Sequence, residues 1–152
     1  MKEKIHIPEI ILQTIFKQAE NEYPSECCGV ILISLTKSEA SLRIYPCRNA
    51  QNECRLQDAK NFPRDSKTGY FISPKDLLAI QKEIRRTGEK IKIIYHSHPE
   101  AEAFFSEEDQ RLAILDSEPA YPDVDYLVIS VKKGKVAGHR LFSWDAHKKS
   151  FV

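Results

Sequence analysis

The chain has 152 residues, 41% of them hydrophobic and 30% charged, with 23 Lys and Arg almost cancelling 22 Asp and Glu. That length buries a core without disulfide staples and is expected to form one domain, residues 1–152. The near-neutral balance gives no electrostatic footprint for nucleic acid or an acidic membrane surface, so neither is expected as a partner.

The N-terminal Met-Lys-Glu-Lys-Ile-His has no apolar segment or small-residue cleavage site, and no signal peptide is expected. The longest apolar run, 29–35, is too short to span a bilayer. Cys27, Cys28, Cys47 and Cys54 form no C-x-x-C ladder, so reduced thiols and a cytoplasmic location are the simplest reading.

The first predicted element is a helix over 8–22, with Pro8 at its first position. Ile11, Ile15 and Ala19 form its apolar stripe, widened by Ile10, Leu12 and Phe16. Residues 27–35 read as a buried strand, Thr36-Lys37-Ser38 as a turn, and 41–45 as the hairpin partner. Periodicity then vanishes from 47 to 68, which predicts a functional loop or insertion. A brief strand is expected at 70–72. Ser73-Pro74-Lys75-Asp76 opens a helix, with Ser73 as its cap, that ends at Gly88. Residues 90–97 alternate as a strand, with Ile91, Ile93, Tyr95 and Ser97 on one side and Lys92, Ile94, His96 and His98 on the other. A short helix from Ser106 to about Leu115 and a hairpin over 126–131 and 136–142 complete the order. The fold class is therefore α/β (α+β), a mixed sheet with helices packed on it.

His96 and His98 are two apart on a strand, so both imidazoles point to one side while Ser97 points away. Same-face neighbours lie ~7 Å apart, and rings leaning together can share an ion at ~2.0–2.1 Å. Pro99 ends the strand, and seven residues bring the chain back to Ser106 and Asp109. Two imidazoles and one carboxylate leave a fourth position for water, the pattern of a catalytic zinc site. Ser106 with Asp109 also reads as a plain capping box. The same carboxylate is not expected to serve fully as both cap and ligand.

With those residues in place, the sequence resembles the JAMM (MPN-plus) metalloprotease family. His96-Ser97-His98-Pro99, seven residues, then Ser106-x-x-Asp109 follows its signature without a gap, and Pro24-Ser25-Glu26-Cys27-Cys28-Gly29 resembles its early glutamate segment. The resemblance covers most of the chain and is close to the small single-domain bacterial type. It implies a strongly curved sheet of JAMM/MPN (cytidine-deaminase-like) architecture and one Zn2+ on His96, His98 and Asp109. It also implies Glu26 as general base and Ser106 as oxyanion donor. The implied substrate is the C-terminal tail of a ubiquitin-like sulfur-carrier protein, cut by a peptidase or isopeptidase. That tail is expected to lie extended at a sheet edge, covered by the 47–69 loop; a homodimer is compatible with this reading.

Glu100, Glu102, Glu107 and Glu108 read as solvated acids, and His6, His139 and His147 have no partner at ligand spacing. Burial in strand packing is the expected fate of Cys27 and Cys28, with approach to the metal as the alternative. Three other functions fit parts of the pattern. A silent MPN-type scaffold would lack the ligands, a non-haem iron oxygenase has a different ligand order, and a RadC-like protein would read His-Asn-His-Pro-Ser-Gly where this chain has His96-Ser97-His98-Pro99-Glu100-Ala101.

Overall fold

In the computed structural model, which describes residues 4–35 and 41–152, α1 spans Glu9–Glu22. Pro8 stands just before it, its carbonyl accepting from the N–H groups of Ile11 and Leu12 at 3.0 and 3.1 Å. A residue without an N–H loses nothing there. Ile15 and Ala19 are buried, but Ile10 is 75% exposed, so the apolar stripe is narrower than its sequence suggests.

Strand β1 (Cys28–Ser34) pairs antiparallel with β2 (Ser41–Cys47), and the turn expected at 36–38 lies outside the described residues. The stretch expected to be structureless is not. It forms α2 (Gln51–Gln57), and Asn49 closes the whole excursion. The Asn49 amide donates to the carbonyls of Glu26 and Gly69 at 3.0 and 3.1 Å and accepts from the N–H groups of Gln51 and Phe71 at 3.0 and 3.1 Å. In place of a strand at 70–72 there is a single bridge between Asn49 and Ile72.

Helix α3 (Pro74–Thr87) starts at Pro74 and ends on Gly88, whose φ of 75° is the left-handed conformation that a residue without Cβ adopts freely. Ser73 occupies the cap position without a side-chain cap bond, and the Asp76 carboxylate accepts from Arg48 N at 2.7 Å. Strand β3 (Lys90–Pro99) runs antiparallel to β1. Helix α4 (Glu107–Ala113) is followed by the short pair β4 (Ile114–Leu115) and β5 (Glu118–Pro119), so it ends before the expected Leu115. Strand β6 (Asp125–Lys132) lies parallel to β3, β7 (Lys135–Phe142) returns beside it, and β8 (Trp144–Asp145) pairs with β9 (Ser150–Phe151).

The main sheet has the order β2-β1-β3-β6-β7. One face packs Ile31, Ile93, Tyr95, Leu127 and Ile129 against Ile15 and Ala19 of α1. The other packs Val30, Leu32, Ile94 and Val128 against Ile80 of α3 and Ala113 of α4. A bulge breaks the expected alternation of β3. Ile31 pairs with Ile93 but Leu32 pairs with Ile91, leaving Lys92 as an extra residue. Ile91 therefore joins Ile94 on the α3 face, not Ile93 and Tyr95 on the α1 face. Among the described residues, no helix is long and apolar enough to cross a membrane.

Candidate metal centre

His96 and His98 lie toward the end of β3, past the bulge, where His96 pairs with Cys28 of β1 and Val128 of β6 and His98 pairs with Ser130 of β6. Their side chains lean together as the two-residue spacing predicts, with Nε2 atoms 3.2 Å apart. Each Nε2 is 3.1 Å from Asp109 Oδ2. These three atoms form a nearly equilateral triangle, and all three residues are buried. An ion bound tetrahedrally at ~2.0–2.1 Å spaces its ligand atoms by about 3.3 Å, so the donor set fits a small divalent cation.

The protonation pattern agrees with that fit. His98 Nδ1 lies 3.1 Å from the Glu102 carbonyl, a partner that needs the proton on Nδ1 and leaves the Nε2 lone pair for a ligand role. Burial holds the His96 imidazole below its ordinary pKa, favouring the neutral ring. For Asp109 burial acts upward, but the adjoining His96 and His98 more than offset it and keep the carboxyl well below the usual range. Tyr70 stacks on His96 with ring centroids 4.3 Å apart, and Phe104 sets its edge against His98 at 5.1 Å.

Asp109 takes part in the capping box and stands beside both imidazoles. Its Oδ2 accepts from Ser106 N at 3.0 Å, completing the capping box, and the same atom faces both imidazoles. A carboxylate oxygen has lone pairs enough for cap and ligand together. Ser106 Oγ accepts from Asp109 N at 3.0 Å, which leaves the hydroxyl proton available for another acceptor.

Glu26 reaches the same place from seventy residues away. One ligand atom each of Glu26, His96 and His98 lies within 4.8 Å of the others, and Glu26 Oε1 is buried without a hydrogen-bond partner. Burial pushes the Glu26 carboxyl well above its usual pKa, the Asp109 charge adds to this, and Arg64 partly opposes it. The positioning runs through Ser97, whose hydroxyl accepts the Cys27 N–H at 2.7 Å while its own N–H donates to the Cys27 carbonyl at 3.2 Å. Glu26 N donates to the Ser66 carbonyl at 2.7 Å, tying it also to the chain after α2.

The cleft beside the triangle is lined by Glu26, His98, Phe104, Ser106 and Asp109, and also by Arg64, Lys67 and Thr68. The last three, with Ser97, Tyr70 and Asn49, went unassigned in the sequence; no short-range pattern marks them. Cys27 and Cys28 are fully buried on opposite faces of the sheet, and burial pushes the Cys27 thiol up to about 12. Among the described residues no cysteine joins the group of potential ligands. Three acids read as solvated have partners: Glu100 accepts from Tyr23 Oη at 2.5 Å and Lys133 N at 2.7 Å, Glu102 pairs with Lys132, and Glu108 pairs with Arg111 at 2.5 Å. His139 packs against Phe16 at 5.2 Å.

Residues 8–145 match the model of a family described as prokaryotic homologs of the JAB domain. The chain is 26% identical over 122 residues to proteins named CysO-cysteine peptidase in Mycobacterium bovis and Mycobacterium tuberculosis, covering 80% of this chain and 70% of theirs. Its fold resembles the solution structure of a protein from Salinibacter ruber, with a TM-score of 0.64 and 21% identity over 97% of this chain and 87% of that one. A protein from Desulfitobacterium hafniense is similar at a TM-score of 0.56 and 23% identity, covering 87% and 86%.

Proposed function

This chain belongs to the family of prokaryotic homologs of the JAB domain, and on that footing we propose that it is a zinc-dependent peptidase. Its substrate in this reading is the C-terminal tail of a ubiquitin-like sulfur-carrier protein, and its setting the cytoplasm. The observation that carries the reading is the triangle of His96 Nε2, His98 Nε2 and Asp109 Oδ2 with the Glu26 carboxyl and the Ser106 hydroxyl lining one cleft.

His96, His98 and Asp109 would hold the zinc, which when bound supplies a water with a pKa of ~7 and a Lewis acid for the scissile carbonyl. Glu26 takes the proton from the attacking water and later hands it to the leaving amine. Its buried carboxyl is suited to both tasks, since burial and the Asp109 charge bring its affinity for a proton upward. The Ser106 hydroxyl donates to the oxyanion, a role its capping bond leaves open because that bond uses only the oxygen as acceptor. The Glu102 carbonyl orients His98, and the rings of Tyr70 and Phe104 exclude bulk water from the imidazoles. The mycobacterial relatives named CysO-cysteine peptidase support a carrier-borne amino acid as the leaving group.

The test is metal analysis of the purified protein together with mass spectrometry of a carrier-protein adduct before and after chelation. About one zinc per chain and chelator-sensitive release of the C-terminal residue are expected. A metal-free protein that releases the residue equally well, or a zinc-loaded one that cleaves no adduct, overturns the reading; the latter leaves a silent scaffold in its place.

A further inference from the structure

We infer that Arg64 and Lys67 recognise a free α-carboxylate on the leaving group, making this cleft specific for a single C-terminal amino acid over an isopeptide-linked protein. The inference rests on the peptidase reading above and adds the chemistry of the leaving side.

The cleft that holds the candidate ligands also carries two cations. Glu26, His98 and Asp109 line it together with Arg64 and Lys67, both exposed. Elsewhere Arg43, Arg48, Arg86 and Arg111 each pair with a glutamate. Among the described residues no ion pair within 4.0 Å involves Arg64 or Lys67. The Arg64 guanidinium makes one hydrogen bond, from Nη1 to the Thr68 carbonyl at 3.1 Å, which leaves further N–H groups of its planar fork for a carboxylate.

The loop backbone that carries these cations is anchored. Gln51 Nε2 donates to the Arg64 carbonyl at 2.9 Å and Ser66 N to Asn52 Oδ1 at 2.8 Å. Ser66, between the two cations, accepts the Glu26 N–H on its carbonyl at 2.7 Å, so basic rim and general base are joined by one bond. Arg64 is close enough that its charge lowers both the Glu26 and the Glu108 carboxyl pKa. Glu26 is the group that protonates the departing amine, and in an α-amino acid the carboxylate carbon lies only about 2.5 Å from that nitrogen. A carboxylate on the leaving group therefore arrives beside Arg64. A lysine side-chain amine brings no anion to that position.

The experiment compares a synthetic peptide ending in glycine-cysteine as the free acid and as the C-terminal amide, with the zinc-loaded protein. The acid should be preferred about tenfold to a hundredfold in kcat/KM, mostly through KM, as for a charge-assisted hydrogen bond. In Arg64→Gln/Lys67→Gln the acid-to-amide ratio should fall to within about threefold, with Arg64→Lys keeping part of it. Lys67→Gln alone, which removes no side-chain bond within the loop, should lower the ratio without moving the thermal midpoint. Equal use of acid and amide by the parent protein, or an undiminished ratio in the double variant, overturns the inference. Calorimetric binding of both peptides to Glu26→Gln separates it from the parent reading. A tenfold tighter acid that depends on Arg64 upholds carboxylate recognition even if nothing is cleaved, and equal affinities with cleavage intact overturn it alone.

Discussion

Ser97 Oγ accepts the Cys27 N–H at 2.7 Å, so the residue between the two histidines holds the residue next to Glu26. The strand that presents the imidazoles to one face uses the intervening side chain, on the opposite face, to hold the backbone beside Glu26, the proposed general base. Ser97→Ala strands a buried N–H, which costs about 1–3 kcal/mol. Turnover should fall while zinc stoichiometry stays near that of the parent. Denaturant unfolding and metal analysis on the same sample check both halves. Loss of metal in step with activity would contradict the assignment.

Asp109 Oδ2 belongs to a helix cap and to the ligand triangle at once. Asp109→Ala should abolish metal binding and, with the metal removed from both proteins, still lower stability by about 0.5–1.5 kcal/mol through the lost bond from Ser106 N. Equal stability of the two metal-free proteins would show that the capping bond contributes nothing. His98→Ala should also lose metal and activity while keeping the cap.

Glu26→Gln removes the proton carrier and keeps the shape of the side chain. Zinc content should be unchanged and turnover reduced by ~10²–10⁴-fold. Full activity would remove Glu26 from the proposed mechanism.

Asn49 ties Glu26, Gln51, Gly69 and Phe71 to one amide. Asn49→Ala should destabilise the protein by about 2–4 kcal/mol, since several buried backbone groups lose partners together. Limited proteolysis should then cut first between residues 50 and 70; unchanged protection there would count against the hub. Deleting residues 52–67 is a poor test of whether this segment covers the substrate, because it also removes the Ser66 carbonyl that holds Glu26 N.

Gly29 lies under the Tyr95 ring. A Cβ on it would come within 2.2 Å of Tyr95 Oη and 2.4 Å of Cζ, and that hydroxyl is already fixed by Gln18 at 2.6 Å. Gly29→Ala should lower stability by about 1–3 kcal/mol or more by overpacking, read as a shift in the denaturant midpoint at unchanged slope.

What the sequence revealed was what is local. The helix over Pro74–Thr87 announces itself through Pro74 and Gly88, and the ligand triangle through a two-residue spacing and a capping box eleven residues on. The rest depends on side chains meeting backbone far away. Asn49 bonds residues 20 to 23 positions off, and Ser97 bonds one 70 positions off, so neither leaves a periodic trace. Ile10 and Ile91 were misread for a simpler reason. An isoleucine looks the same in sequence whether it faces a core, the opposite core or water.

The bulge at Lys92 makes β3 two segments in series. Before it the strand carries Ile91 to the α3 face; after it, pairing of His96 with β1 and β6 and of His98 with β6 fixes the histidines. A one-residue insertion or deletion in the first segment can be absorbed where Lys92 already stands unpaired, turning over the hydrophobic end while the imidazoles keep their aim. In a continuous strand the same change would rotate both histidines into the α1 core. The bulge thus acts as a slip joint between the packing half of the strand and the half that carries the candidate ligands.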